Sequence, residues 1–327
     1  MIRVLTFIIA LSAVASALAN PLYDDKLLRS APIEVFEKAL EAGVSATSRP
    51  GQWSPSPLWM AVERERQDLA ELLLKNGARI NGLSQDNETV LWRATFSGTV
   101  GMMKFLLENG ASVNPQQPPL TVAVRSWAPS SIEKTKLLLG HGADVNQVDY
   151  EGETAITSAA ENRNEGVKLM QLLVDKGADP IATDGRGLTP LTSAIQAGSI
   201  DSISYLLETF PNVLEEDKSR KAPLHYLMTG RFFKFAELSE FEAIVDLLLS
   251  AGADINEQDF SGNTILHLSV NKDRLRKDVV SFLIKRADVG MRNNSGKTAF
   301  DLAKGGLLLG HPEYFELEQA TKASTTN

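Results

Sequence analysis

The 327 residues contain no cysteine, which removes disulfide frameworks, thiol nucleophiles and cysteine-ligated zinc together. Histidine is almost as scarce, with four residues at 141, 225, 267 and 311, scattered too widely to show metal-ligand spacing. Positive charge is in deficit: 33 Lys and Arg face 41 Asp and Glu, for a formal net charge of −8. Nucleic acid and anionic lipid would repel such a chain on average, so neither is an expected partner. There is no G-x-S-x-G, no H-E-x-x-H and no dinucleotide glycine loop. No catalytic residue, metal, cofactor or small-molecule substrate is therefore expected. After the first twenty residues no apolar run approaches the roughly 20 residues needed to cross a hydrocarbon core.

Those first twenty residues read as a secretory leader. Arg3 supplies the positive start, Val4 to Val14 is a short apolar stretch, and Ala17-Leu18-Ala19 offers a small-x-small cleavage site. Cleavage before Asn20 is expected to give a periplasmic or secreted protein, and no cysteine follows to take a lipid.

What the chain does have is internal repetition. Leucine-rich segments run into Gly-Ala or its equivalent at LLLKNGARIN (72–81), LLENGASVN (106–114), LLLGHGADVN (137–146), LLVDKGADP (172–180) and LLLSAGADIN (247–256). A second motif holds phase with them: SPLW (56–59), TVLW (89–92), PPLT (118–121), TAIT (154–157), TPLT (189–192), APLH (222–225), TILH (264–267) and TAFD (298–301). Asp149/Gly152, Asp184/Gly187, Asp259/Gly262 and the variant Asn293/Gly296 precede several of these tetrapeptides. The tetrapeptide Thr can cap a first helix, with Pro at its first turn, and the Leu triplets give a second helix one apolar face. The Gly that follows can take the left-handed conformation that stops that helix. No unit buries its apolar face alone, so stacking must supply the core.

The two motifs in this phase resemble the ankyrin repeat over about residues 22 to 320. The resemblance implies an all-α solenoid of helix-turn-helix units joined by β-hairpin fingers. It divides the chain into a leader (1–19), an N-terminal capping repeat (20–49), an array of about eight units (50–320) and a disordered tail (321–327). Three departures stand out. The cap lacks a T-P-L-H start, and the fifth and seventh units end in Phe210-Pro211-Asn212 and Arg286-Ala287-Asp288 instead of Gly-Ala-Asp. The sixth carries an insertion near 231–242, RFFKFAELSEFE, whose phenylalanines either fold back onto the array or form a docking patch.

Gly296-Lys297-Thr298 ends like a phosphate-binding loop, but Gly290 lies one residue too far upstream and the segment falls on a finger. His225 and His267 close their tetrapeptides, where the resemblance implies hydrogen bonds between neighbouring repeats. Trp59 and Trp92 hold the same position in the first two full units and are assigned to packing. By resemblance the binding surface is made of finger tips and the exposed ends of first helices. It includes Trp53, Arg64, Phe96, Arg125, Tyr150, Glu151, Glu153, Arg186 and Phe260, with Glu63, Glu88, Gln117 and Glu161 among their polar neighbours. Aromatic and Arg side chains of this kind dominate binding hot spots, although each aromatic could instead cover a neighbour's backbone. The partner expected is another protein. The role is a non-catalytic scaffold that protects or regulates a periplasmic protein, an immunity-type inhibitor of an imported toxin, or a secreted host-interaction effector.

Overall fold

The computed structural model describes residues 20–47, 49, 54–125, 130–216, 223–229, 231–270, 275–304 and 308–324. The leader and Trp53 lie outside the described residues. The chain divides into two compact units, residues 1–150 and 151–327.

After a 3-10 turn at Pro21–Tyr23 the first unit holds eight α-helices among its described residues: α1 (Asp25–Ser30), α2 (Ile33–Glu41), α3 (Pro57–Glu63), α4 (Gln67–Lys75), α5 (Val90–Ser97), α6 (Val100–Glu108), α7 (Pro119–Arg125) and α8 (Ser131–Gly140). The second holds α9 (Ala155–Ala160), α10 (Gly166–Val174), α11 (Pro190–Ala197), α12 (Ile200–Thr209), α13 (Val213–Glu216) and α14 (Pro223–Tyr226). It continues through α15 (Arg231–Phe235), α16 (Leu238–Ser250), α17 (Ile265–Ser269), α18 (Lys277–Ile284), α19 (Ala299–Ala303) and α20 (Pro312–Ser324).

First helices begin where the tetrapeptides place them. The hydroxyls of Ser56 and Thr89 accept from the N–H groups of Trp59 at 3.2 Å and Trp92 at 3.1 Å, and Thr154, Thr189 and Thr298 do the same three residues ahead. Each such cap contributes about 1 kcal/mol. Second helices end in one repeated device. Gly77, Gly110, Gly142, Gly177 and Gly252 take positive φ, and the N–H of the following Ala reaches back to Leu73, Leu106, Leu138, Leu173 and Leu248 at 2.9–3.1 Å. Those five leucines are fully buried. The same residue thus closes the helix with its carbonyl and fills the core with its side chain, a burial that stabilises by about 2 kcal/mol.

The two units without this glycine stop otherwise. Phe210 turns out of α12 and packs edge-on against Tyr205 at 6.0 Å, while the N–H of Ala287 bonds the carbonyl of Leu283 at 2.8 Å. Leu206 and Leu283 are nonetheless fully buried, so the register survives both exceptions.

Between helices the Asp-x-x-Gly segments fold into tight fingers. Asp184 Oδ1 accepts from the N–H groups of Arg186 and Leu188, both at 2.8 Å, and Asp259 Oδ1 accepts from Ser261 and Asn263 in the same way. Gly187 and Gly262 supply the positive φ that the turn requires. Among the described residues no β-strand forms, so the expected hairpin fingers are reduced to loops. Fingers such as 184–188 are closed by two backbone bonds, Asp184 N–H to Leu188 O and Gly187 N–H to Asp184 O, both at 2.9 Å, too little to propagate a ladder. Neighbouring loops are stapled by Asn side chains: Asn81 Oδ1 accepts from Ser112 N–H and its Nδ2 donates to Gly110 O, and Asn114 repeats this on Asp144 and Gly142.

Three features differ from the sequence expectation. The N-terminal cap has both helices, because Asp24 replaces the missing tetrapeptide and accepts from Lys26 and Leu27 to start α1. The insertion forms a separate turn, α15, and then lengthens the second helix, α16, to 13 residues with Glu237 at its N-cap. The C-terminal helix α20 runs through Ser324, so residues 321–324 are helical where a disordered tail was expected; Thr321 is buried and its hydroxyl bonds Leu317 O.

Candidate protein-binding surface

In the first unit the site grows from the 84–88 finger. Ser84 N–H bonds Glu88 O at 2.8 Å, and Ser84 Oγ accepts from the N–H groups of Asp86 and Glu88. Asn87 takes the left-handed conformation at φ 59, which Asn tolerates better than most residues. The turn projects Asp86, Asn87 and Glu88 beside α5. Trp92 and Phe96, four residues apart on that helix, stack with ring centroids 5.5 Å apart and planes within 7°. Arg93 lies 4.8 Å from the Trp59 ring and 5.7 Å from that of Phe96, and it pairs with Glu63 at 2.5 Å.

Beside this stack opens a cleft of about 450 Å³ whose lining includes Asp86, Glu88, Trp92, Gln117, Arg125 and Tyr150. Gln117 Nε2 donates to Asp86 O, and Arg125 pairs with the buried Asp149 at 3.2 Å. Tyr150 is 69% exposed and Phe96 53%. Burial pushes the Glu88 carboxyl above its usual range, with the charge of Asp86 adding to the rise and Arg93 opposing it.

Arg64 is in a different situation. Its guanidinium is shared between Asp25 at 2.7 Å and Glu63 at 2.8 Å and is mostly covered, so it ties the capping repeat to the first full one.

In the second unit the charged candidates form one network. Arg186 reaches Asp184 at 2.7 Å, Glu161 at 3.3 Å and Glu153 at 3.5 Å. Glu151 is exposed. Its carbonyl passes so close to Gly185 that a Cβ there would lie 2.4 Å away, and Gly185 N–H bonds Gly152 O at 2.8 Å. Phe260, 68% exposed, stands on the 259–262 finger, where Asn294 holds its carbonyl at 2.8 Å.

The structure therefore brings Arg125 and Tyr150 into one cleft with Glu88, and Glu153 and Arg186 into one ion-pair network. Trp92, which sequence reasoning assigned to packing, stacks on Phe96 and is partly exposed, so that it also lines the cleft. The signal available was its i,i+4 spacing to Phe96. Gly296 and Thr298 serve a finger and a helix cap, and Lys297 O accepts from His267 Nε2 at 3.1 Å. His225 Nε2 bonds Asn263 O at 2.7 Å in the same manner. Among the described residues no group of three or more His, Asp and Glu could hold a metal, and no helix is long and apolar enough to cross a membrane.

Models of ankyrin repeats match residues 29–117 and 232–317 in one form and 164–207 in another, more than half the chain. The chain belongs to the ankyrin-repeat family. Its relatives include the E3 ubiquitin-protein ligase KEG of Arabidopsis thaliana, 27% identical over 80% of this chain but only 17% of the ligase. A putative ankyrin repeat protein of Acanthamoeba polyphaga mimivirus is 24% identical over 75% of this chain and 34% of its own length. Rabankyrin-5 of Mus musculus is 32% identical over 49% of this chain and 14% of its own. The chain spans about a third or less of each. Ankyrin repeats are in general scaffolds for binding other proteins, and this chain carries such repeats.

Proposed function

We propose that the protein is exported through its leader and acts as a non-catalytic scaffold that protects or regulates another protein outside the cytoplasm. The observation that carries this reading is the set of large aromatics, Phe96, Tyr150 and Phe260, held exposed on short, capped and stapled elements. Aromatics on a rigid frame lose little conformational entropy when a partner covers them, which makes them better anchors than the Lys and Glu side chains around them. The ion pairs beside them give a surface of mixed charge, suited to a folded protein more than to a polyanion. The leader supports export, and mature protein from the exported fraction should begin at or near Asn20.

The test is a Phe96→Ala, Tyr150→Ala variant used beside wild type as bait in the exported fraction. A control carries Lys75→Ala and Glu71→Ala, an exposed pair on a second helix. Loss of one specific captured protein by the aromatic variant alone, with all three proteins melting alike, is the expected result. Equal capture by all three would remove the surface.

A further inference from the structure

The first-unit cleft has a chemical character more specific than a general binding face. Its ionisable lining consists of Asp86, Glu88, Arg125, Asp149 and Tyr150. Arg125 and Asp149 are paired with each other at 3.2 Å and cancel in charge. Asp86 and Glu88 remain, two carboxylates on one turn beside two aromatic rings, Trp92 and Tyr150. Arg93, whose charge acts on Glu88 from outside the lining, is bonded to Glu63 at 2.5 Å and lies against the rings of Trp59 and Phe96. At about 450 Å³ the cleft has room for a long side chain and several waters.

We propose that this cleft receives one cationic side chain, arginine in preference to lysine, from an extended segment of the partner protein. The inference rests on the protein-binding reading above. Indole and phenol rings attract a cation through their π faces, and two carboxylates on one side complete its charge. Arginine fits better than lysine because its planar guanidinium can stack on a ring while offering a fork of N–H donors to carboxylate oxygens. An acidic partner segment would meet two like charges in the same small volume and is rejected. The state of the Glu88 carboxyl agrees with this. Burial and the charge of Asp86 push this carboxyl above its usual range, and a bound cation would act the other way, favouring the ionised form.

The experiment follows the indole N–H signals of the four tryptophans in the 15N-labelled full chain, with Trp92 assigned from a Trp92→Phe sample. The probes are acetyl-Gly-Arg-Gly-amide, the same peptide with lysine, and the same peptide with citrulline, which keeps the shape of arginine and loses the charge. The arginine peptide should shift the Trp92 signal saturably, with a Kd on the order of 1–10 mM for so small a contact. Lysine should bind more weakly, and citrulline at least about tenfold more weakly. An Asp86→Asn, Glu88→Gln variant should lose about tenfold in affinity with its melting temperature unchanged, while Phe235→Ala in the second unit leaves affinity as in wild type.

An equal response to citrulline, no shift with arginine, or full affinity in Asp86→Asn, Glu88→Gln would overturn the proposal. The same charge variant separates this failure from failure of the wider reading. If it still captures the partner that the Phe96→Ala, Tyr150→Ala variant loses, the cation site falls and the protein-binding surface stands. If both variants capture it, both readings fall.

Discussion

Gly198 closes α11 in the left-handed conformation, at φ 68, directly beneath the insertion. A Cβ built on it would lie 1.9 Å from Cδ2 of Phe232, and 2.4 and 2.5 Å from the next two ring atoms. The ring is buried, so it has no free space into which to retreat. Gly198→Ala should then carry two penalties. An alanine forced into the left-handed region costs about 1 kcal/mol. Expelling Phe232 forfeits most of its burial, about 2–3 kcal/mol more, for a total of about 3–4 kcal/mol. Phe232→Ala alone should cost about 3–5 kcal/mol through transfer and cavity contributions. Once the ring is gone, Gly198→Ala retains only its backbone penalty, so the double variant should lose about 4–6 kcal/mol, where simple addition would give about 6–9. The coupling of about 2–3 kcal/mol is the quantity to measure, by urea unfolding of the four proteins followed by far-ultraviolet circular dichroism. Additivity within about 0.5 kcal/mol would show that the insertion does not sit on α11 and that its phenylalanines do something else.

Other expectations follow from the same geometry. Leu138 is fully buried and its carbonyl receives the helix-closing bond from Ala143, so Leu138→Ala should cost about 2–5 kcal/mol; a loss below about 0.5 kcal/mol would place the residue on a surface. His267 is held below its ordinary value of 6.5, chiefly by burial, against the opposing pull of the Lys297 carbonyl. Its neutral form accepts from Thr264 N–H on Nδ1 and meets Lys297 O with Nε2. A depressed folded pKa means this contribution is complete above about pH 6.5 and is lost as pH falls through the folded value. The melting temperature should therefore drop between about pH 7 and pH 5, and His267→Gln, which cannot titrate, should flatten that slope; an unchanged slope refutes the assignment.

The local devices were legible in the sequence because each is written within a few residues. Thr and Ser before a helix, Leu then Gly-Ala after it, and Asp three residues before Gly each satisfy nearby backbone groups, and their common phase announces the stacking of repeats. Side chains whose role depends on a distant residue were not legible. Arg64 had the composition of a binding residue, yet Asp25, 39 positions away, takes one side of its guanidinium. Trp92 had the position of a packing residue, yet its ring, stacked on Phe96, also lines a cleft. The insertion advertised four phenylalanines without showing that Phe232, Phe233 and Phe241 would be buried and Phe235 left 76% exposed. Helix caps and turns are decided by hydrogen bonds that close within five residues, so the sequence determines them alone. Exposure and ion pairing are decided by which surfaces the stacked repeats bring together, and only the tertiary structure sets that.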